Sequence, residues 1–143
     1  MPDGDDLRVL VEDRQDRSVD VVGLVDLARA VLRGEGVADA ELSLAFVAED
    51  EIADLHERFL GESGPTDVLA FPLDAVDGDG ARLLGDVVIA PAYAARTRDD
   101  LAAELRLLLV HGILHLLGHD HEADAERAVM WALQERYSGV AIP

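Results

Sequence analysis

The chain has 143 residues, half of them hydrophobic, and 30 acidic side chains against 12 basic ones give a formal net charge of −18. That length suits one domain over 1–143 with a proper core, and the composition excludes a disordered chain. The acidity argues against a broad basic face for nucleic acid, no apolar run approaches the ~20 residues that span a bilayer, and the lack of cysteine excludes disulfides and thiolate metal sites.

The opening, MPDGDDLRVLVEDRQ, lacks the basic-then-apolar order of a signal peptide, so a cytoplasmic protein is expected. Residues 7–12 alternate weakly as a strand. Residues 19–33 repeat Val, Leu and Ala at three-four spacing and read as a helix stopped by Gly34. A well-alternating strand over 41–48 leads into a helix over 49–60, whose acidic start and following Gly61 suit its two ends. Short apolar runs at 67–71 and 84–90 read as two further strands, and the polar, glycine-rich loop 74–83 between them predicts antiparallel neighbours. From Pro91 onward the pattern is helical. Asp99 or Asp100 can cap the run LAAELRLLLVHGILHLL, which is apolar on nearly every side and therefore expected to be buried; an amphipathic helix over 122–137 closes the chain. The order predicts an α+β fold: a single domain with a mixed four-stranded sheet, about five or six helices, and a metzincin-like metal-site helix.

Four of the five histidines fall in HGILHLLGHDH, residues 111–121. His111 and His115 stand one turn apart on the same helix face, so both imidazoles can reach one ion. Gly118 can turn the chain in a left-handed conformation, and His121, three residues on, can swing back as a third ligand. Three protein nitrogens with an open position is the arrangement of a catalytic zinc site, and the spacing is that of the metzincin skeleton. His119 is read as pointing elsewhere, and Asp120 as bracing a ligand imidazole or the turn. Metzincin peptidases carry a glutamate directly after the first histidine as general base; here that position is Gly112.

These blocks resemble the YbeY family of bacterial metal-dependent endoribonucleases of ribosomal RNA maturation. HGILHLLGHDH is similar to that family's H-G-x-L-H-L-x-G-Y-D-H, with His119 in place of tyrosine. GPTDVLAFP at 64–72 is similar to its P-T-D-V-L-S-F-P, and LLGDVVIA at 83–90 to its L-G-D-[IV]-x-I strand. The likeness extends over about residues 40–137. It implies cleavage of single-stranded RNA, maturation of the small-subunit rRNA 3′ end and quality control of ribosomes, with His111, His115 and His121 as metal ligands. The family arginine of L-N-x-x-[YF]-R falls on Leu60, leaving Arg58 as the nearest substitute and candidate catalytic residue; it takes that role only if the segment turns there.

Thr66 and Asp67 are candidates to line the substrate cleft, beside their plain role in a turn. Asp86, in an apolar strand, is expected to be paired or to face water, and His56 is expected at the surface. The implied cofactor is one divalent transition metal ion, Zn2+ foremost and Ni2+ second. The implied partners are ribosomal RNA, the small ribosomal subunit and ribosome-associated proteins, with no membrane and no DNA. Two other readings stand beside this one: a metallohydrolase of another class, such as a peptidase, and a non-catalytic assembly factor stabilised by metal.

Overall fold

In the computed structural model, which describes residues 6–78 and 80–141, the chain runs β1 (Asp6–Arg14), α1 (Val21–Gly34), β2 (Asp39–Val47), α2 (Glu49–Leu60), β3 (Val68–Val76), β4 (Arg82–Ile89), α3 (Pro91–Ala94), α4 (Leu101–Leu116) and α5 (Asp124–Ser138). The first five residues of the acidic opening and one residue of the 74–83 loop lie outside the described residues.

The strands form one mixed sheet in the order β1-β2-β4-β3, with β1, β2 and β4 parallel and β3 antiparallel to β4. A parallel pair needs a long crossover, and α1 provides it between β1 and β2. The period of two along β2 sorts its side chains. Leu42, Leu44 and Phe46 point into the main core with α1, α4 and α5, while Ala45 packs with Leu69, Val88 and Ile52 of α2 on the opposite face. Three helices therefore cover one face of the sheet and α2 covers part of the other.

β3 runs past Phe71, where the sequence pattern ends. Pro72 has no N–H to give, but β3 is an edge strand, so no second neighbour goes unpaired. The pairing slips between Pro72 and Ala75, and opposite Pro72 stands Gly85 with φ +132°, where a Cβ would collide with the Phe71 carbonyl. The glycine of LGD is thus fixed by the hairpin's own backbone.

α4 is apolar on nearly every side because it is packed on nearly every side. β3 and β4 lie beneath it, with α1, α3 and α5 at its sides. Asp100 is the cap, its carboxylate accepting from the Ala103 N–H at 3.1 Å. The buried Glu104 is paired with Arg98 at 2.9 Å. Gly112 faces the sheet, and a Cβ there would stand 2.8 Å from Cγ1 of the fully buried Val87. The helix can lie this close to β4 only because residue 112 lacks a side chain. No helix among the described residues is long and apolar enough to cross a membrane.

Candidate functional site

α4 ends in a turn that reverses the chain over the histidines. Gly118 has φ +97°, and the N–H of His119 reaches back to the Leu114 carbonyl at 3.0 Å. The reversal sets the ring of His121 beside that of His111, with centroids 5.6 Å apart and planes at 50°. His115 follows His111 by one helical turn and is exposed. It lines an open hollow of about 330 Å³ together with Pro72, Arg82 and Gly118.

His111 is the half-buried member of the group. Its Nδ1 meets Oε1 of Gln134 at 2.6 Å, and Gln134, on α5, is only 4 % exposed. An amide oxygen can only accept, so Nδ1 carries the proton and the lone pair is left on Nε2. Burial pushes the pKa of His111 below the ordinary histidine value, with His121 and His115 adding to the shift, while the Gln134 bond and the charge of Asp67 oppose it. The ring is therefore neutral near pH 7, the form a metal ligand requires.

The elements around His121 hold it from two sides. Its ring stacks on Trp131 at 5.7 Å and 30°. Its N–H donates to the Asp120 carboxylate at 2.7 Å, and its carbonyl accepts from Nε of Arg127 at 2.9 Å. Asp120 thus braces the turn through the backbone of His121. His119 points away, with Nε2 on Glu35 at 2.9 Å.

Among the described residues, no group of three His, Asp or Glu side chains stands already converged for a metal ion. The donor chemistry nevertheless fits a divalent transition ion. Two imidazoles are adjacent, the third is one turn away, and a buried amide fixes the tautomer of the first.

Asp67 comes close enough for its charge to act on His111, and the Thr66 hydroxyl lies 3.5 Å from the same carboxylate. Arg58 does not join the histidines. α2 continues regularly to Leu60 before Gly61 caps it at φ +69°, so the turn on which its catalytic role depended does not occur. Its guanidinium instead pairs with Asp54 at 3.2 Å and covers the Phe59 ring, and Arg58 is corrected to an exposed residue of α2. His56 folds onto the following loop, with Nδ1 on the Gly64 carbonyl at 3.0 Å and Nε2 on Glu62 at 2.9 Å. Asp86 is exposed in a hollow of about 470 Å³ on the α2 face, between Arg14, Phe59 and Phe71, which no histidine lines.

Sequence reasoning missed Gln134, Trp131, Arg127, Glu35 and Arg82. Three of these, at 127, 131 and 134, share one face of α5. That spacing marks the face turned to the histidines once α5 is known to pack on α4.

Against known proteins, residues 10–139 match the family model described as Endoribonuclease YbeY. The chain is 46% identical to the Endoribonuclease YbeY of Frankia alni, over 82% of this chain and 73% of the relative. It is 49% identical to that of Acidothermus cellulolyticus, over 81% and 80%. The solution structure of TM1509 from Thermotoga maritima superposes with a TM-score of 0.57 and 31% identity, covering 92% of this chain and 86% of that one.

Proposed function

The chain belongs to the YbeY family of endoribonucleases, and on that premise we propose that it is a metal-dependent endoribonuclease selective for single-stranded RNA, acting in the cytoplasm on the 3′ end of small-subunit ribosomal RNA and in ribosome quality control. The observation that carries this reading is the pairing of His111 with His121, with the buried amide of Gln134 on His111 Nδ1.

His111, His115 and His121 are the residues that hold the ion. Three imidazoles suit Zn2+, with Ni2+ as the alternative. When bound, the ion supplies Lewis-acid charge beside the scissile phosphate. The chain's own groups do the rest. Gln134 keeps the proton of His111 on Nδ1, which leaves the Nε2 lone pair for the ion. The Thr66 hydroxyl and Asp67 carboxylate line the substrate side. Arg82 shares the hollow of His115 and offers a planar fork to a phosphate, the part first assigned to Arg58. A peptidase-like reaction is disfavoured, because Gly112 carries no base and faces Val87 rather than the cleft.

Gln134→Leu is expected to weaken Zn2+ binding about 10- to 100-fold, measured by competition with a chelator, because the leucine cannot hold the His111 tautomer. With a net charge of −18, RNA affinity must come from this local patch or from a ribosomal protein partner. Isolated RNA is therefore expected to bind weakly, and more weakly as salt rises. Tight binding to free RNA at high salt contradicts that electrostatic account.

The test of the function is cleavage of a single-stranded fragment carrying the 3′ end of small-subunit rRNA by the Zn2+-loaded chain, against the same fragment in a duplex and against casein. Cleavage of the single strand alone is expected. Casein cleavage supports the peptidase reading, and no cleavage of any substrate supports an assembly factor.

A further inference from the structure

Glu35 stands at the end of α1, outside the three-histidine group. Its N–H closes the helix on the Val31 carbonyl at 2.9 Å. Its side chain, 16 % exposed, divides its two oxygens between two elements. Oε1 accepts from Nε2 of His119, 84 residues along the chain, at 2.9 Å, and Oε2 accepts from the Tyr137 hydroxyl of α5 at 2.8 Å. Gly34 makes room for this contact, since a Cβ there would run into the Tyr137 hydroxyl.

His119 is the hinge point of the turn that carries His121. Its N–H ends α4 on Leu114, Gly118 precedes it at positive φ, and His121 lies two residues beyond. The far side of the turn is tied by Arg127, whose Nε and Nη2 donate to the His121 and Glu122 carbonyls at 2.9 and 3.2 Å. On the near side the Asp120 carboxylate accepts from the His121 N–H within the turn, while the tie of His119 to Glu35 reaches outside the α4–α5 pair to α1. Without it, the turn keeps among the described residues its own bonds, that of Asp120 included, and the ties to α5.

We propose that Glu35 is the positioning residue of His121: by anchoring the His119 ring to the end of α1 it fixes the turn that presents the third imidazole beside His111, and so sets the metal affinity of the site. The inference rests on the reading of His111, His115 and His121 as ligands. It also explains why His119, though it lies between two of the ligands' own turn residues, points away from them. Its ring serves as the anchor.

The two bonds of Glu35 can be removed separately. Tyr137→Phe deletes the tie to α5 and leaves the anchor of His119. His119→Phe keeps a ring and deletes the donor. Glu35→Ala removes both bonds, and Glu35→Gln keeps an amide oxygen that can accept from Nε2–H. The measurement is Zn2+ affinity by competition with a chromophoric chelator on the metal-stripped full chain, with the melting temperature of each metal-free variant alongside.

Glu35→Ala and His119→Phe are each expected to weaken Zn2+ binding about 10-fold or more, while Glu35→Gln recovers most of the loss and Tyr137→Phe stays within about twofold of wild type. His119→Phe carries the test if Glu35→Ala does not fold. Equal losses for Glu35→Ala and Tyr137→Phe, or losses that merely follow melting temperature, reduce Glu35 to a brace of the fold and overturn the inference. Wild-type affinity in both Glu35→Ala and His119→Phe overturns it as well. A wild-type chain that binds Zn2+ no better than His115→Ala marks a different failure: the ligand assignment itself falls, and the inference with it.

Discussion

His115→Ala is expected to abolish Zn2+ retention and to lower RNA cleavage by about 100-fold or more, with the fold unchanged. The side chain is exposed at the end of α4, and no protein group among the described residues is hydrogen-bonded to its ring. Its loss should therefore change stability by less than about 0.5 kcal/mol. His111→Ala is the less clean experiment. It strands the buried Oε1 of Gln134 and opens space in a packed layer, adding about 1–3 kcal/mol of destabilisation to any loss of metal. Far-UV circular dichroism, a melting curve and Zn2+ content on the same His115→Ala sample separate a lost ligand from a lost fold. A variant that keeps both its metal and its cleavage removes His115 from the site.

The second large effect concerns the missing peptidase base. Gly112→Glu restores the residue that follows the first histidine in metzincins, yet it is expected to leave the chain unfolded or insoluble rather than proteolytic. The residue 112 Cβ points at Val87, so a carboxylate there is driven into the interface of α4 and β4 at a cost of several kcal/mol. Gly112→Ala isolates the steric part. One methyl against Val87 Cγ1 at 2.8 Å is expected to destabilise by about 1–3 kcal/mol, partly offset by the helix propensity of alanine. Urea melts of both variants check the order. A folded Gly112→Glu chain that cleaves casein contradicts the packing account and reopens the peptidase reading.

The glycine shows how one residue can be legible for its chemistry and opaque for its cause. The sequence at 112 plainly lacks a base; that the lack follows from close helix–sheet packing requires knowing which face of α4 meets β4. The same division runs through the site. The histidine spacing and the turn at Gly118 are local, so they can be read from eleven consecutive residues. Gln134 and Glu35 act on His111 and His119 across 23 and 84 residues, and no local pattern marks either as special.

The fold divides along the same line. The alternation of β2, the apolar girth of α4 and the capping of α4 by Asp100 follow from neighbours in sequence. The length of β3 does not, because the tolerance of Pro72 depends on β3 being at the edge of the sheet. Arg58 illustrates the opposite error. Its role hung on a turn between two helical positions that face nearly opposite ways, and α2 stays helical through both.

On this reading the three histidines bind one divalent ion, and cleavage depends on it. The most direct measurement is a titration of the metal-stripped chain with Zn2+, following bound metal and single-stranded RNA cleavage in the same samples. The expected result is saturation at one ion per chain, with cleavage rising in step and falling again when a chelator withdraws the ion. Cleavage that is already complete in the stripped chain, or Zn2+ uptake that leaves cleavage unchanged, contradicts it.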